Sequence, residues 1–486
     1  MNRILFSHSY FMRYDPKQWA TGQPYPPLAT IGAAALMREH GFRVSLFDTM
    51  FVERPEEVAP LLDSEKPDLF VVYDDGFNYL TKMCLTNMRE AAFRMIQLAR
   101  QRGSVVIVSS SDSTDHYRQY LEKGADFVLL GEGEQTLLEL ATAIRDGHTA
   151  FEGIAGLAWL KNGVPARSFA RKVMKDLDSL PLPAWDLVGI ESYRAIWMRH
   201  HGYFSLNVGT TRGCPYKCNW CAKPIYGNRY NARSPRRVVE EIKVLKERYG
   251  FDHLWMCDDI FGLKPGWVHE FAELVQREKL RFRFTIQSRA DLLVQGSYVE
   301  ALARAGCENS WIGAESGSQK ILDAMDKGTT VEQIAGATRL LREHGIRVSF
   351  FIQFGYPGET KEDIGLTIRM IKTLMPDNIG ISVSYPLPGT VFHERVKSEL
   401  KEKANWTDSD ELKLMFRNTY SPAFYKQLHR YVHKTFRRQL ALREIRRLFS
   451  RPTQLTKKGL RMAASFCWYL MDAAVAGWRL KQKMIS

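Results

Sequence analysis

Nine residues of this chain, Gly213-Cys214-Pro215-Tyr216-Lys217-Cys218-Asn219-Trp220-Cys221, set three cysteines in a C-x3-C-x2-C spacing. Three thiolates on so short a loop can all face one iron-sulfur cube, and a 4Fe-4S cube has four irons to ligate. One iron is left open to a small molecule. The competing reading is a zinc site, since three cysteines and one further His or Cys also close a tetrahedron. The nearest spare ligands, His253 and Cys257, stand in a strand-like run well downstream, and no second cysteine pair lies at finger spacing. The cube is therefore the favoured reading.

This loop resembles that of the radical S-adenosylmethionine (SAM) enzymes. The resemblance implies that the methionyl amino and carboxylate groups chelate the open iron. It also implies that the reduced cluster cleaves the sulfonium to a 5'-deoxyadenosyl radical. Trp220 matches an aromatic common at that family position, beside the adenosyl moiety. Its plain alternative is a core tryptophan.

Such a loop needs a frame. From Phe204 the chain alternates strand and helix six times, with strands read at Ser205–Gly209, His253–Cys257, Arg281–Gln287, Ser310–Ala314, Arg347–Gln353 and Ile379–Tyr385. Six parallel strands with covering helices make a partial (β/α)6 barrel over residues 204–395, the architecture the resemblance also implies. Functional groups belong at the carboxyl ends of such strands, where the loops converge. Asp258 and Asp259 follow the second strand, Gln287 and Arg289 the third, and Glu315 and Ser316 the fourth. By resemblance, Asp258, Asp259, Gln287, Glu315, Ser316 and Lys327 are candidate SAM contacts, with Lys327 pairing the methionyl carboxylate. Gly355, in Phe354-Gly355-Tyr356-Pro357-Gly358-Glu359-Thr360, resembles the family turn near the adenine. The ordinary alternatives are helix caps for the acids and a solvated charge for Lys327.

Upstream, strands at Ile4–Phe6, Phe42–Asp48, Leu69–Tyr73, Val105–Val108 and Ala125–Leu130 alternate with helical runs. Five such strands form a doubly wound, Rossmann-like sheet with ligands at the strand carboxyl ends. A proline-rich first loop (Pro26, Pro27, Leu28) and a late turn (Gly131, Glu132, Gly133, Glu134) resemble the cobalamin-binding domain that precedes many radical SAM cores. The resemblance implies cobalamin across the strand ends. No D-x-H-x-x-G stretch is present to supply an imidazole below it, and Ser109-Ser110-Ser111-Asp112-Ser113 stands where a glycine-rich turn is common. A degenerate domain that binds no cobalamin is the alternative. The expected organisation is a cobalamin-binding domain over 1–150, a connector over 151–203 with a small hairpin around Asn162-Gly163, the barrel over 204–395, and a basic helical region over 396–486.

The chain has 486 residues, 45% hydrophobic and 25% charged, so it is globular and of two or three domains. Seven cysteines without a pairing pattern favour a reducing compartment. The start at Met1 runs into His8 and Ser9 too soon for a signal peptide, so the expected location is cytoplasmic. Of the net charge of +14, residues 420–486 carry +13, from six Lys and nine Arg against Glu444 and Asp472. Phe436–Phe449 reads as a basic amphipathic helix, and Leu460–Leu480 as an apolar run flanked by Lys457, Lys458, Arg479, Lys481 and Lys483. Its length just reaches a membrane span, while Arg461, Asp472 and its many small residues favour a helix lying in the interface or packed on the barrel. Peripheral contact with anionic lipid at the inner membrane face is the expectation. Nucleic acid is not expected, because no recognition module accompanies the charge.

The whole resembles the group containing the anaerobic magnesium-protoporphyrin monomethyl ester cyclase and the hopanoid methylases. That implies hydrogen abstraction from an unactivated carbon of a small-molecule or lipid-like substrate, methylation by methylcobalamin, and a low-potential electron donor such as flavodoxin or ferredoxin. Radical cyclisation or rearrangement without methyl transfer is one alternative. A non-catalytic cluster and cobalamin sensor is another.

Overall fold

The computed structural model describes residues 2–400, 405–450 and 456–485. Met1 and the side chain of Lys458, both named above, lie outside them. Two sheets organise the chain. The first has seven strands: β1 (Arg3–Ser7), β2 (Arg43–Phe47), β3 (Leu69–Tyr73), β4 (Val105–Ser109), β5 (Phe127–Leu129), β6 (Leu157–Lys161) and β7 (Val164–Arg167), in the order β2-β1-β3-β4-β5-β6-β7. The first five are parallel. β3, Leu-Phe-Val-Val-Tyr, is buried throughout, as expected of a strand covered by helices on both faces. Among those helices are α1 (Leu28–Glu39), α2 (Thr86–Gln101) and α3 (Glu134–Arg145).

One boundary moves. The hairpin expected in the connector belongs to this sheet, because β6 pairs antiparallel with β5 and β7 with β6. Phe127 sits opposite Trp159 across that pair, so the hairpin lengthens the apolar surface instead of linking domains.

The second sheet is a half-barrel of six parallel strands in simple sequential order: β8 (Ser205–Val208), β11 (His253–Met256), β12 (Arg283–Ser288), β13 (Cys307–Glu315), β14 (Arg347–Phe354) and β15 (Asn378–Val383). Between β8 and β11 lies a small antiparallel ladder, β9 (Thr211–Arg212) with β10 (Asn231–Ala232). Helix α4 (Pro235–Tyr249) returns the chain from there. Ser234 caps its start, Pro235 fits its first turn, and Gly250 ends it in the left-handed region.

Strand periodicity of two separates the barrel's faces. Leu206, Leu254, Phe284, Ile286, Ile312, Phe350 and Ile352 are buried beneath the helices. The concave face is polar at its base. His253 Nδ1 bonds Ser205 Oγ at 2.8 Å and its Nε2 bonds Thr285 Oγ1 at 2.8 Å, while Ser349 Oγ donates to Asn309 Oδ1 at 3.0 Å. Burial pulls the His253 imidazole down to about 3, so it is neutral and engaged at both nitrogens.

The tail begins with α5 (Pro422–Ser450), a single 29-residue helix that contains the expected Phe436–Phe449 segment. Its first half buries Phe424, Tyr425, Leu428, Val432 and Phe436. The apolar run that follows is two helices, α6 (Lys457–Ala464) and α7 (Phe466–Ile485), separated at Ser465. No helix among the described residues is long and apolar enough to cross a membrane.

Candidate functional site

The cysteine loop leaves the carboxyl end of β8 and is pinned there by short-range chemistry. Gly213 has a φ of +76°, and a Cβ on it would run into the Arg229 carbonyl oxygen, so only glycine fits. Asp258, at the end of β11, accepts the backbone N–H groups of Thr210 at 2.7 Å and Thr211 at 2.8 Å and also bonds the Thr210 hydroxyl. Its carboxyl is fully enclosed, and burial pushes it up to about 6 against those bonds. Asp258 thus holds the entry to the loop, with its oxygens turned onto the turn rather than the mouth.

Within the loop, Cys214 is buried and Cys218 and Cys221 are half-buried. Burial raises the Cys214 and Cys221 thiols, the latter to about 12, and each is raised further by charge on neighbouring cysteines of the loop. The three sulfurs therefore share one field. Among the described residues, no three Cys, His, Asp or Glu side chains are gathered as around a single metal ion. Of the two spare ligands for the zinc alternative, His253 is engaged at both nitrogens on the barrel floor, while Cys257 is a free, buried thiol.

Asn219, unremarked in the sequence, ties this loop to the rest of the mouth. Its amide donates to the Ala324 carbonyl at 2.8 Å and to Asp326 Oδ2 at 2.9 Å, and its side-chain oxygen accepts from the Tyr356 hydroxyl at 2.8 Å. Its backbone N–H donates to the Met325 carbonyl, and its carbonyl accepts from Phe392. Trp220 beside it is partly buried, and its indole Nε1 is buried without a hydrogen-bond partner. A buried donor of this kind is costly unless something accepts from it, which fits an adenosyl group there.

Lys327 and Glu315 form a buried pair at 2.8 Å. Burial works against the Lys327 ammonium, yet Glu315 and then Cys218 raise it above the usual lysine range, so it faces the cysteine loop. Glu315 holds a φ of +56° at a register shift in β13, a strained conformation for a residue with a Cβ. Arg289 completes the cluster: its guanidinium lies 3.6 Å from the Tyr216 ring centroid, pairs with Asp291 at 2.9 Å, and comes within 3.9 Å of Cys218 Sγ. Gln287 is half-buried. Ser316, by contrast, is turned onto Thr367 at 3.1 Å behind the sheet. Gly355 (φ +78°) donates its N–H to Glu359 at 2.7 Å, and a Cβ on it would press Leu414, Tyr425 and Val383, so it packs beneath the tail.

The carboxyl ends of the first sheet meet this mouth. Arg212, at the start of the cysteine loop, pairs with Glu132 at 2.6 Å and Glu134 at 2.7 Å, all three nearly buried. The late-turn glutamates therefore clamp the cluster loop. Lys82, after β3, pairs with Asp259 at 2.7 Å. Burial opposes the charge on Lys82, but Asp259 and the Cys221 and Cys257 thiols raise its pKa.

Of the residues expected to face cobalamin, Ser109 lines a small cavity, together with Ala29, Tyr73, Asp74, Ser111 and Tyr226. Ser111 Oγ is buried there without a partner. Gly133 lets the late turn approach Ser109 and Tyr73, where a Cβ would lie 2.6 Å from Ser109 Oγ. Pro26 gives its carbonyl to Asn207 at 3.0 Å, and Asp75 accepts from the Ala29 N–H at 3.1 Å at the start of α1, so Pro27 and Leu28 enter a capped helix. Gly131 approaches the Ile225 carbonyl. The small side chains and the orphaned hydroxyl suit a polar ligand. The cavity, about 10 Å³ and lined also by Ile225, has no room for a corrin in this conformation.

Residues 208–371 match the model of the Radical SAM superfamily. The chain carries a radical SAM domain. It is 30% identical over 283 residues to an uncharacterized methyltransferase of Pyrococcus horikoshii, a match covering 58% of this chain and 60% of that protein. It is 26% identical over 396 residues to the anaerobic magnesium-protoporphyrin IX monomethyl ester cyclase of Rubrivivax gelatinosus, covering 79% and 68%. In fold it is similar to TsrM of Kitasatospora setae, a radical SAM methyltransferase whose structure holds cobalamin and a [4Fe-4S] cluster. The TM-score is 0.69 at 20% identity, over 88% of this chain and 85% of that one. The chain spans about three fifths of the length of the Pyrococcus relative.

Proposed function

We propose that the protein uses a 4Fe-4S cluster and SAM to alkylate an unactivated carbon of a hydrophobic small molecule, with cobalamin as the methyl carrier. The observation that supports this best is the meeting, at one barrel mouth, of three cysteine thiols, the buried Glu315–Lys327 pair and the unpartnered indole N–H of Trp220. When bound, the cluster supplies the electron that cleaves the sulfonium. Cys214, Cys218 and Cys221 ligate it, and the cations of Lys327 and Arg289 offset thiolate charge beside Cys218. Glu315 and Lys327 offer opposite charges to the ammonium and carboxylate of the methionyl group, each a charge-assisted hydrogen bond. Trp220 donates to the adenosyl moiety.

Cobalamin, when bound, supplies a methyl group. Ser109, Ser110 and Ser111 would hold it at the strand ends, beside the close approach of the Gly133 turn to Ser109. Reducing power comes from a low-potential donor of the flavodoxin or ferredoxin kind, and the expected setting is cytoplasmic. A second reading, cyclisation without methyl transfer, draws on the similarity to the Rubrivivax cyclase.

Anaerobic reconstitution tests the reading. Iron, sulfide and cobalt bind, the reduced protein makes 5'-deoxyadenosine from SAM, and a variant with all three loop cysteines changed to Ala makes none. Zinc in the loop, or no nucleoside from the intact protein, overturns it. A product heavier by one carbon supports methylation, and one without added carbon supports cyclisation.

A further inference from the structure

Helix α7 shows two faces that the sequence alone does not assign. Ala473, Ala476 and Leu480 are buried against α5, where Gln427 donates to the Ala476 carbonyl at 3.0 Å, Lys434 pairs with Asp472, and Gly477 lies against the Tyr431 ring. The opposite face carries Trp468, Met471, Val475 and Trp478, spaced three, four and three residues apart and therefore in one stripe. They are exposed by 64%, 61%, 46% and 60%. A single exposed apolar residue needs no explanation, but two tryptophans, a methionine and a valine in line do.

The stripe borders a groove of about 390 Å³ between α5 and α7, whose lining includes Trp468, Met471 and Val475 together with Arg430, Lys434 and Arg479. Apolar floor and cationic rim thus occur on one surface. The exposed side chains of Arg461, Lys481 and Lys483 extend the positive charge along the same helices, and residues 420–486 hold nearly all of the chain's net charge. Tryptophans at both ends of an exposed stripe, flanked by basic groups, are what the boundary between water and lipid headgroups selects.

We infer that the α5–α7 face docks on an anionic bilayer. The stripe of Trp468, Met471, Val475 and Trp478 enters the headgroup region, and Arg430 and Arg479 engage lipid phosphates at the groove. This goes beyond the proposed radical chemistry and does not depend on it, since docking needs neither cluster nor SAM. It gives a hydrophobic substrate a short route from membrane to enzyme.

The full-length protein is floated with vesicles of phosphatidylcholine alone and of phosphatidylcholine with phosphatidylglycerol. Flotation with the anionic vesicles only, lost in high salt, is expected. Trp468→Ser with Trp478→Ser should cut partitioning at least tenfold, and Arg430→Gln with Arg479→Gln should remove the preference for anionic vesicles. All four side chains lie at the surface, and unchanged thermal melting shows that the variants fold. Equal flotation with both vesicle types, or none with either, overturns the proposal. So does a wild-type dimer in solution that the two Trp substitutions convert to monomer, which would make the stripe a contact between copies. Each arm is read without turnover, so failure here leaves the assignment of the radical site untouched.

Discussion

Asn219 sits between Cys218 and Cys221 and serves three neighbours, Ala324, Asp326 and Tyr356, with both ends of its amide. Asn219→Ala removes the loop's ties to Ala324, Asp326 and Tyr356, while the Tyr356 hydroxyl keeps its bond to the Ala324 carbonyl, so each lost bond costs about 0.5–1.5 kcal/mol. Chemical denaturation should register that loss, and iron retention should fall with it; equal stability would show the ties to be idle. Glu359 makes a different kind of prediction. It is fully buried, and burial pushes its carboxyl up to about 8 although it accepts the Gly355 N–H. A raised pKa in the folded state means that the native protein holds this proton while the unfolded chain releases it. Its contribution is complete below the ordinary glutamate range and is lost as pH rises through about 8, at roughly 1 kcal/mol per pH unit. Glu359→Gln copies the neutral acid, so its melting temperature should depend less on pH between 5 and 9 (about the span of that titration). Identical pH profiles for the two proteins would refute the assignment.

At the scale of elements, the clamp between the late turn after β5 and the start of the cysteine loop matters most. Arg212→Met strands Glu132 and Glu134 in a buried setting, and breaking such a pair costs about 3–5 kcal/mol. Adding Glu132→Gln and Glu134→Gln should return much of it, which separates a charge effect from a packing one. If the single substitution leaves both stability and iron content unchanged, the clamp does not position the loop. The strands and helices themselves were legible beforehand, because apolar runs bounded by glycine and proline mark buried strands and Ser234, Pro235 and Gly250 punctuate a helix. The hairpin at β6 and β7 was legible as a hairpin but not as part of the sheet, since its partner β5 is fixed by tertiary approach. Likewise the cysteine spacing announced itself, whereas Asn219, Arg212 and Lys82 act through partners far along the chain, and periodicity carries no trace of such pairs. Glu132 and Glu134 stood out by their turn, yet their use on Arg212 follows only from two sheets meeting.

For the whole molecule, the tail is part of the barrel's structure. Helix α5 buries Phe424, Tyr425, Leu428, Val432 and Phe436, and Asn418 donates to the Gly355 carbonyl at 2.6 Å. A chain cut after Tyr420 forfeits the burial of each of those large side chains, about 1.5–3 kcal/mol apiece, and should show no cooperative melting. A chain cut after Ser450 keeps those five side chains and should still melt cooperatively; the reverse pattern would contradict this packing. A last consequence follows from the way the sheets face each other. In both, helices start where strands end, so the positive poles of many helix dipoles converge on the one volume between them. Anionic groups are favoured in such a field, and Asp75 and Ser110 already take first-turn amides of helices beside the first sheet. A carboxylate or phosphate on an incoming molecule should therefore be drawn to the helix starts, adding to the pull of the buried Lys327 side chain.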